Sequence, residues 1–186
     1  MKVPLRLLGH LPIRTERLLL TALDPGWLDE VAAMLADPVV MTYFPRPMTR
    51  PEAEHWLRRN TERYQVHGTA LFAVLREDAG RQVFLGDCGL VVRRFGDRLH
   101  LELGYHFAGH AWGQGYATES ARACLALGFA HTDAAEVIAL IRPENRPSQR
   151  VAQRLGMHVD GAVLHAGLVH DVWHLERKAF AGLALQ

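Results

Sequence analysis

The chain has 186 residues, 49% hydrophobic and 22% charged, and its 21 Lys and Arg against 20 Asp and Glu leave a formal net charge of +1. This composition is typical of one globular domain, which we expect to span residues 1–186 with a core at about 11–180, and it excludes a disordered or fibrous chain. The balanced charge creates no overall field for nucleic acid or an anionic membrane, so we expect neither as a partner.

The first twenty residues, "MKVPLRLLGHLPIRTERLLL", contain no uninterrupted apolar run, because Arg6, Arg14 and Arg17 break it. We therefore expect neither a signal peptide nor a membrane anchor, and no other stretch is long enough to span a bilayer. Cys88 and Cys124 lie far apart and form no CxxC motif, which is typical of buried thiols in a reducing compartment. These features predict a cytoplasmic protein.

In chain order, "RLLLTAL" predicts a first strand at 17–23, and Trp27, Val31, Met34 and Leu35 recur at helical spacing up to Asp37-Pro38. The proline-containing stretch "VVMTYFPRPM" predicts a loop. Thr49, with Pro51 and Glu52 after it, has the spacing of a capping box, so a second helix is expected to run to about His67.

Three strands then form an antiparallel meander, "ALFAVLR", "VFLGDCGLVVRR" and "LHLELGYHF", with turn signals at 78–80 and at Gly96-Asp97. A helix at about 117–131, the buried strand "EVIALI", a short helix ending near Gly156 and a terminal hairpin complete the chain. The hairpin is predicted from "HVDGAVLHAG" and "LVHDVWHLERKAF", so its second strand is expected to reach Phe180. The order predicts an α/β domain with one mixed, seven-stranded sheet and about four helices.

The stretch "HAWGQGYATES" joins the third strand of the meander to the next helix. It lacks the third glycine of a dinucleotide-binding loop, and the chain has no Gly-Lys-Ser or Gly-Lys-Thr of an ATP-binding loop. Gly113 and Gly115 permit positive φ at a helix N-terminus, where free backbone N–H groups favour an anion such as a pyrophosphate. The alternative is a tight turn in which the glycines serve geometry alone.

The order of elements, together with "TERLLLTAL", "FLGDCGL", "LELGYHF", "WGQGYATES" and "RPENRPSQRVAQRLGM", resembles the GNAT superfamily of acyl-CoA-dependent N-acetyltransferases. It is more closely similar to the branch of ribosomal-protein N-terminal (alanine) acetyltransferases. The resemblance covers about Leu11 to Phe180 and implies a central, mostly antiparallel sheet, acetyl-CoA as co-substrate and a primary amine as acceptor.

The superfamily's cofactor loop has the pattern Q/R-x-x-G-x-G/A, which this chain reads as Trp112, Gly113, Gln114, Gly115, Tyr116 and Ala117. The resemblance implies that the backbone of these residues holds the pyrophosphate, although Trp112 replaces the usual Gln or Arg. It also implies that the preceding strand splays from "EVIALI" and that the pantothenate arm pairs with backbone near Phe107. Gly104 fits a bulge that starts this splay.

In this branch a hydroxyl on the short helix assists the leaving sulfur, and Ser148 occupies the matching position, with Asn145 placed to touch the cofactor. Asn145 is equally a good helix N-cap, and Ser148 an ordinary first-turn residue. Arg150 is interpreted either as a phosphate ligand or as a solvated arginine on an amphipathic helix.

For the proton acceptor, Glu102 lies near the position where several superfamily members keep a glutamate, and His106 shares its face by alternation. The alternative is a strand carboxylate without a role. Water also suffices as acceptor if the substrate is an N-terminal amine, whose pKa is about 7.7 to 8.0 against about 10.4 for lysine.

No metal is expected, because the paired histidines four apart fall in predicted strand or loop. No cysteine acyl-enzyme is expected either, so transfer of the acyl group is predicted to be direct.

The acceptor pocket is expected at Tyr43 and Phe44 and at the turn of the terminal hairpin, although these aromatics also suit a plain core. A protein or peptide N-terminus is the first acceptor hypothesis. The alternatives are a small amine (polyamine, amino acid or aminoglycoside) and an acyl-CoA-binding module without turnover. The apolar ending "FAGLALQ" suits either a homodimer interface or a frayed end.

Overall fold

The computed structural model describes residues 5–95 and 98–183. Eight strands lie in this part of the chain: β1 Ile13–Arg14, β2 Leu19–Ala22, β3 Leu71–Asp78, β4 Arg81–Phe95, β5 Arg98–Phe107, β6 Glu136–Ile141, β7 His158–His165 and β8 Leu168–Glu176. The α-helices of the same residues are α1 Leu28–Ala36, α2 Arg50–His67, α3 Tyr116–His131, α4 Arg146–Arg154 and α5 Arg177–Leu183.

All eight strands form one sheet in the order β1-β2-β3-β4-β5-β6-β8-β7. Every pairing of the described strands is antiparallel except β5 with β6, which is parallel. The predicted mixed, mostly antiparallel sheet is confirmed. The count of seven strands was one too low, because the two-residue β1 carries no readable alternation of its own and is specified by pairing with β2.

The two faces of the sheet carry different helices. On one face, α3 and α4 pack on the larger core cluster, which includes Leu101, Leu103 and Phe107 of β5. On the other face, α1 and α2 pack over β3 and the start of β4 in a smaller cluster around Leu35, Leu57 and Phe84. Side chains alternate along a strand, so Glu102, Gly104 and His106 point to the α2 side.

Local sequence patterns predicted both ends of α2 correctly. Thr49 and Glu52 form the predicted capping box at the start of α2, and Gly68 ends that helix at φ 71. The hairpin at the C-terminus is also present, but its second strand stops at Glu176 and α5 follows, where the sequence predicted further strand. Arg177 makes this change of direction by donating hydrogen bonds to backbone oxygens of Thr132 and Ala134.

The bulge expected at Gly104 is absent, because β4 and β5 pair in one continuous register from Gly86↔Phe107 to Phe95↔Arg98. The irregularity lies one strand away, where Leu85 is the extra residue of β4 between its pairings with Val74 and Leu75 of β3. The predicted turn at Gly96-Asp97 and the last three residues of "FAGLALQ" lie outside the described residues. Within 5–95 and 98–183, no helix is long and apolar enough to cross a membrane.

Candidate functional site: a splayed pair of strands beside a glycine loop

A gap opens between β5 and β6. Their parallel pairing is limited to Leu101↔Val137 and Glu102↔Ile138, although β5 continues to Phe107. The N–H of His106 donates to Asp87 of β4 (3.2 Å) and that of Ala108 to the Leu85 carbonyl (3.0 Å). Because main-chain groups alternate along a strand, those of Tyr105 and Phe107 face the gap, where β6 does not pair with them.

The glycine loop follows directly and leads into α3. Gly113 and Gly115 have φ of 74° and 83°, and Gly115 is the N-cap of α3. Among the described residues no side chain caps this helix, in contrast to α2 and α4. Thr118 Oγ1, in its first turn, is buried and has no hydrogen-bond partner within residues 5–95 and 98–183. The uncapped first turn therefore presents free N–H groups and the positive end of the helix dipole, which suit a phosphate group.

Two residues outside the loop motif, Arg17 and Glu119, form contacts between the loop region and the segment before β2. The Arg17 guanidinium donates to the Gln114 carbonyl (3.0 Å) and, through Nε (2.8 Å) and Nη2 (2.6 Å), to Oε2 of Glu119. It also lies 4.9 Å from the Tyr116 ring centroid. Glu119 also accepts from Thr15 Oγ1 (2.6 Å) and from the Arg17 N–H (3.0 Å). The segment before β2 is thus tied to the first turn of α3 and to the glycine loop.

Trp112 stands where the family resemblance predicts Gln or Arg, and it makes a contact of its own. The residue is 48% exposed, and its indole N–H donates to the Phe107 carbonyl at 2.7 Å. This bond ties the loop to the end of β5 at the strand edge that faces the gap. The exposed Gln114 side chain donates to the His110 carbonyl (3.0 Å), which steadies the same turn.

The predicted residues of α4 lie across the gap from β5. The Tyr105 hydroxyl donates to the Ser148 carbonyl (3.3 Å), so the first turn of α4 sits against the unpaired end of β5. Burial raises the pKa of Tyr105 above its ordinary value, and its bond to Ser148 opposes this only in part, so the phenol stays protonated. Asn145 caps α4 by accepting from the Ser148 N–H at 3.1 Å, and Arg150 is exposed. Asn145 is therefore the N-cap of α4, and the Ser148 hydroxyl is not needed to cap this helix.

Glu102 and His106 share the α2 side of β5 but have different partners. Glu102 forms a bidentate ion pair with Arg93 of β4, while His106 pairs with Asp87. They are four positions apart along the strand, a distance of roughly 13 Å, and His106 is the one beside Phe107. Glu102 is thus paired with Arg93 at the point where the gap begins, and His106 lies at the open end of the gap.

Of the two aromatics that the sequence predicted for an acceptor pocket, Phe44 contacts His106 from the loop between α1 and α2. Phe44, 39% exposed, has its ring centroid 5.1 Å from that of His106, and Tyr43 is half-buried beside it in the chain. Trp56 of α2 lies edge-on to His106 at 5.7 Å. At the terminal hairpin, burial and then the nearby charge of Arg93 lower the pKa of His165, which puts the end of β7 near the Arg93–Glu102 pair.

Sequence reasoning missed Arg17, Glu119, Asp87 and Trp56. A signal existed for Asp87, because an aspartate inside the apolar strand "VFLGDCGLVV" needs a buried partner. Arg17 and Glu119 are 102 positions apart, and no local pattern links them. In the described ranges no cluster of three or more His, Cys, Asp or Glu side chains is arranged to hold a metal ion, and Cys88 and Cys124 are free and buried.

Comparison with known proteins is consistent with this geometry. The family model described as "Acetyltransferase (GNAT) domain" matches residues 17–158. The YkkB protein of Bacillus subtilis strain 168 is 39% identical over 122 residues, 66% of this chain and 70% of its own. The N-acetyltransferase YnaD of the same organism is 30% identical over 158 residues, 80% of this chain and 84% of its own.

Solved structures share the fold over most of the chain. A GNAT-family acetyltransferase from Bacillus anthracis is 27% identical with a TM-score of 0.72, covering 89% of this chain and 98% of that one. A spermidine N-acetyltransferase from Vibrio cholerae, in complex with CoA and spermine, is 17% identical with a TM-score of 0.71 (90% and 99% covered). A ribosomal-protein α-N-acetyltransferase in complex with coenzyme A is also 17% identical, with a TM-score of 0.70 (90% and 98% covered).

Proposed function

The chain belongs to the GNAT acetyltransferase family and is an acetyl-CoA-dependent acetyltransferase, and from that premise we propose that it acetylates the free amine of a protein or peptide N-terminus. Transfer is direct, from the thioester to the amine, without an acyl-enzyme. The observation that carries the transfer from acetyl-CoA is the gap between β5 and β6, which has the uncapped α3 and its glycine loop at its open end, whereas the choice of a peptide amine rests on the charges around Arg63.

On this proposal the cofactor is held largely by backbone. The loop residues are those that the sequence named: Trp112, Gly113, Gln114, Gly115, Tyr116 and Ala117. Their N–H groups receive the pyrophosphate, and the main chain at Tyr105 and Phe107 pairs with the pantothenate arm in the gap. Support comes from the positive φ of both glycines and from the unpartnered Thr118 hydroxyl. Asn145 and Arg150 flank the arm from α4.

Ser148 is proposed to protonate the departing thiolate. Its position across the gap from Tyr105 supports this role, as does the capping of α4 by Asn145, because the Ser148 hydroxyl is not needed to cap the helix. A hydroxyl that acts on the leaving group contributes mainly in the transition state, where negative charge grows on sulfur. Ser148 would therefore affect turnover more than cofactor binding.

The charge on the acceptor side favours a peptide N-terminus over a polycation. Burial, followed by the positive charges of Arg59 and Arg93, lowers the pKa of Arg63 on α2. Among the described residues, Glu102 is the acidic group that opposes this lowering of the pKa. A polyamine or an aminoglycoside would bring further positive charge to this cluster, which is unfavourable at short range. A peptide brings a single amine, and its carboxylates would be attracted. Both a spermidine and a ribosomal-protein acetyltransferase share this fold, so fold alone does not choose between them.

A screen for coenzyme A release tests the proposal. Short peptides with free N-termini and small amines, including spermidine, are each incubated with the protein and acetyl-CoA, and the free thiol is measured. We expect release with the peptides, more with acidic than with basic ones, and little with spermidine. Faster release with spermidine than with every peptide would replace the proposed acceptor by a polyamine. A melting temperature raised by acetyl-CoA, with no release for any amine, would indicate a binding module.

A further inference from the structure

Asp87 is a fully buried carboxylate in the middle of β4, with a relative exposure of 0%. His106 is its hydrogen-bond partner through two groups, the ring Nδ1 at 2.8 Å and the backbone N–H at 3.2 Å, and both reach Oδ1. The other oxygen, Oδ2, is buried and has no hydrogen-bond partner in the part of the chain that the structure describes. Burying a carboxylate is costly unless it is paired and hydrogen-bonded, so this site depends on the imidazole of His106.

The strand geometry fixes this histidine closely. Asp87 and His106 are directly opposite each other in the β4–β5 register, and β4 comes so near that a Cβ at Gly86 would overlap the His106 carbonyl. Phe44 and Trp56 flank the ring from the acceptor side. Among the hydrogen bonds of the described residues none uses Nε2, and Nε2 is not among their buried, unpartnered atoms, so it keeps contact with solvent.

We propose that His106 is a catalytic residue, the group that accepts the proton from the acceptor amine through Nε2, and that Asp87 is the positioning residue that fixes its tautomer and orientation. This rests on the proposed transfer to an amine. His106 is favoured over Glu102 because it lies beside Phe107 at the cofactor end of β5, whereas Glu102 is already paired with Arg93.

The proton balance is as follows. The amine nitrogen forms a bond to the thioester carbon, and its proton passes to His106 Nε2, directly or through one water. The carbon–sulfur bond breaks, and the thiolate takes a proton from solvent or from Ser148, whose hydroxyl then regains a proton from solvent. The products are the N-acetyl amine and free coenzyme A. The imidazolium, whose positive charge faces Asp87, then releases its proton to solvent.

The charged groups around His106 set the expected pH dependence. Burial disfavours the imidazolium, but the charge and hydrogen bond of Asp87 outweigh this, so the pKa of His106 is raised above the ordinary histidine value. On the same face of β4 and β5 the next charges are the Arg93–Glu102 pair, with Arg63 of α2 beside it. Near Phe44, Arg46 is paired with Glu52. Below the raised pKa the base is protonated, so the rate should rise with pH through that value.

The test compares pH–rate profiles from about pH 5.5 to 9.5, a range that spans the ordinary pKa of histidine and of an N-terminal amine. Coenzyme A release is measured with a short peptide bearing a free N-terminal alanine and, in parallel, with spermidine. His106→Gln keeps a polar side chain but does not titrate there, and we expect turnover to fall about a hundred-fold, the low end for general base catalysis, with little change in KM for acetyl-CoA.

Asp87→Asn should move the acidic limb of the profile to lower pH, because it removes the negative charge that raises the pKa of His106. The acceptor's own ionisation is the same for all variants, so this shift belongs to the enzyme. His174→Gln is the matched control. Its ring pairs with Glu136 at 3.0 Å on the same face, but at the closed end of β5 and β6, and neither rate nor profile should change.

A second measurement does not depend on the acceptor. The NMR signals of the His106 ring, assigned by their loss in His106→Gln, should shift when acetyl-CoA is added and should titrate at lower pH in Asp87→Asn. Unchanged turnover in His106→Gln, or a His106 signal that ignores acetyl-CoA, would overturn this proposal. Absence of turnover with both amines in the wild type would overturn the proposed acceptors instead, and the NMR arm would then decide the role of His106. Where Asp87→Asn does not fold, His106→Gln and the wild-type titration still decide.

Discussion

The two sides of the gap between β5 and β6 are built from different parts of the chain. On the function proposed above, the cofactor side consists mainly of backbone: two glycines at positive φ, an uncapped first turn of α3, and strand edges at Tyr105 and Phe107. On the same proposal, the acceptor side consists of side chains that converge from a loop, α2, β4 and β7, among them Phe44, Trp56, Asp87 and His165.

This difference has a physical reason. A pyrophosphate needs a concave set of N–H donors, which a turn of fixed length can supply, so the pattern appears as a short motif. An acceptor is recognised by shape and charge, which many side-chain sets can supply from many positions in the chain. Cofactor binding should therefore be lost when a single glycine is substituted. The acceptor side should lose its function when the charge or the hydrogen-bonding group of a side chain is changed. The His106 and Asp87 variants described above examine the acceptor side, and three further substitutions examine the cofactor side, from the largest expected effect to the smallest.

Gly115→Glu should abolish cofactor binding. Acetyl-CoA at 100 times its dissociation constant should stabilise the wild type by about 2.7 kcal/mol, and the variant should show no shift in melting temperature, because a carboxylate stands where phosphates bind. Gly9→Glu is the control, since it adds the same charge where a Cβ meets nothing within 4 Å. A wild-type shift in the Gly115 variant would remove the loop from the cofactor site.

Ser148→Ala should lower turnover roughly ten- to a hundred-fold with acetyl-CoA affinity nearly intact, since a thiol of pKa about 8.5 is already a tolerable leaving group. The structure sharpens this experiment, because Asn145 and not Ser148 caps α4. Asn145→Ala should cost about 1 kcal/mol of unfolding free energy, and Ser148→Ala much less. Steady-state kinetics with melting curves on both variants separate the two roles. Normal turnover in Ser148→Ala would end its catalytic assignment.

Arg17→Ala should weaken acetyl-CoA binding about ten-fold, or about 1.4 kcal/mol, because the loop loses its tie to the segment before β2 without losing a ligand. Isothermal titration calorimetry measures the affinity. Arg50→Ala, which removes an exposed ion pair with Asp29 (2.5 Å), is the matched control and should leave affinity unchanged. Equal affinity in Arg17→Ala and the wild type would mean that the glycines alone fix the loop.

Much of the fold was readable because the signals were local. The capping box at Thr49 and Glu52, the turn at Asp78-Ala79-Gly80 and the apolar run of β6 each depend on residues close in sequence, and each lies where it was predicted. The failures were of another kind. β1 has two residues, and α5 begins in a stretch that continued the pattern of a strand, so neighbouring elements decided both.

The sequence by itself determined the family resemblance, the sheet class and the residues of the glycine loop, because a turn between a strand and a helix is specified by a few adjacent residues. Only the tertiary structure decided that Arg17 reaches Glu119, that Asp87 lies opposite His106, and that Glu102 belongs to Arg93. These pairs depend on strand register and on loops that bring distant segments together. Register is a property of the whole sheet, and a shift of one residue would turn the strand side chains Asp87, Glu102 and His106 to the other face.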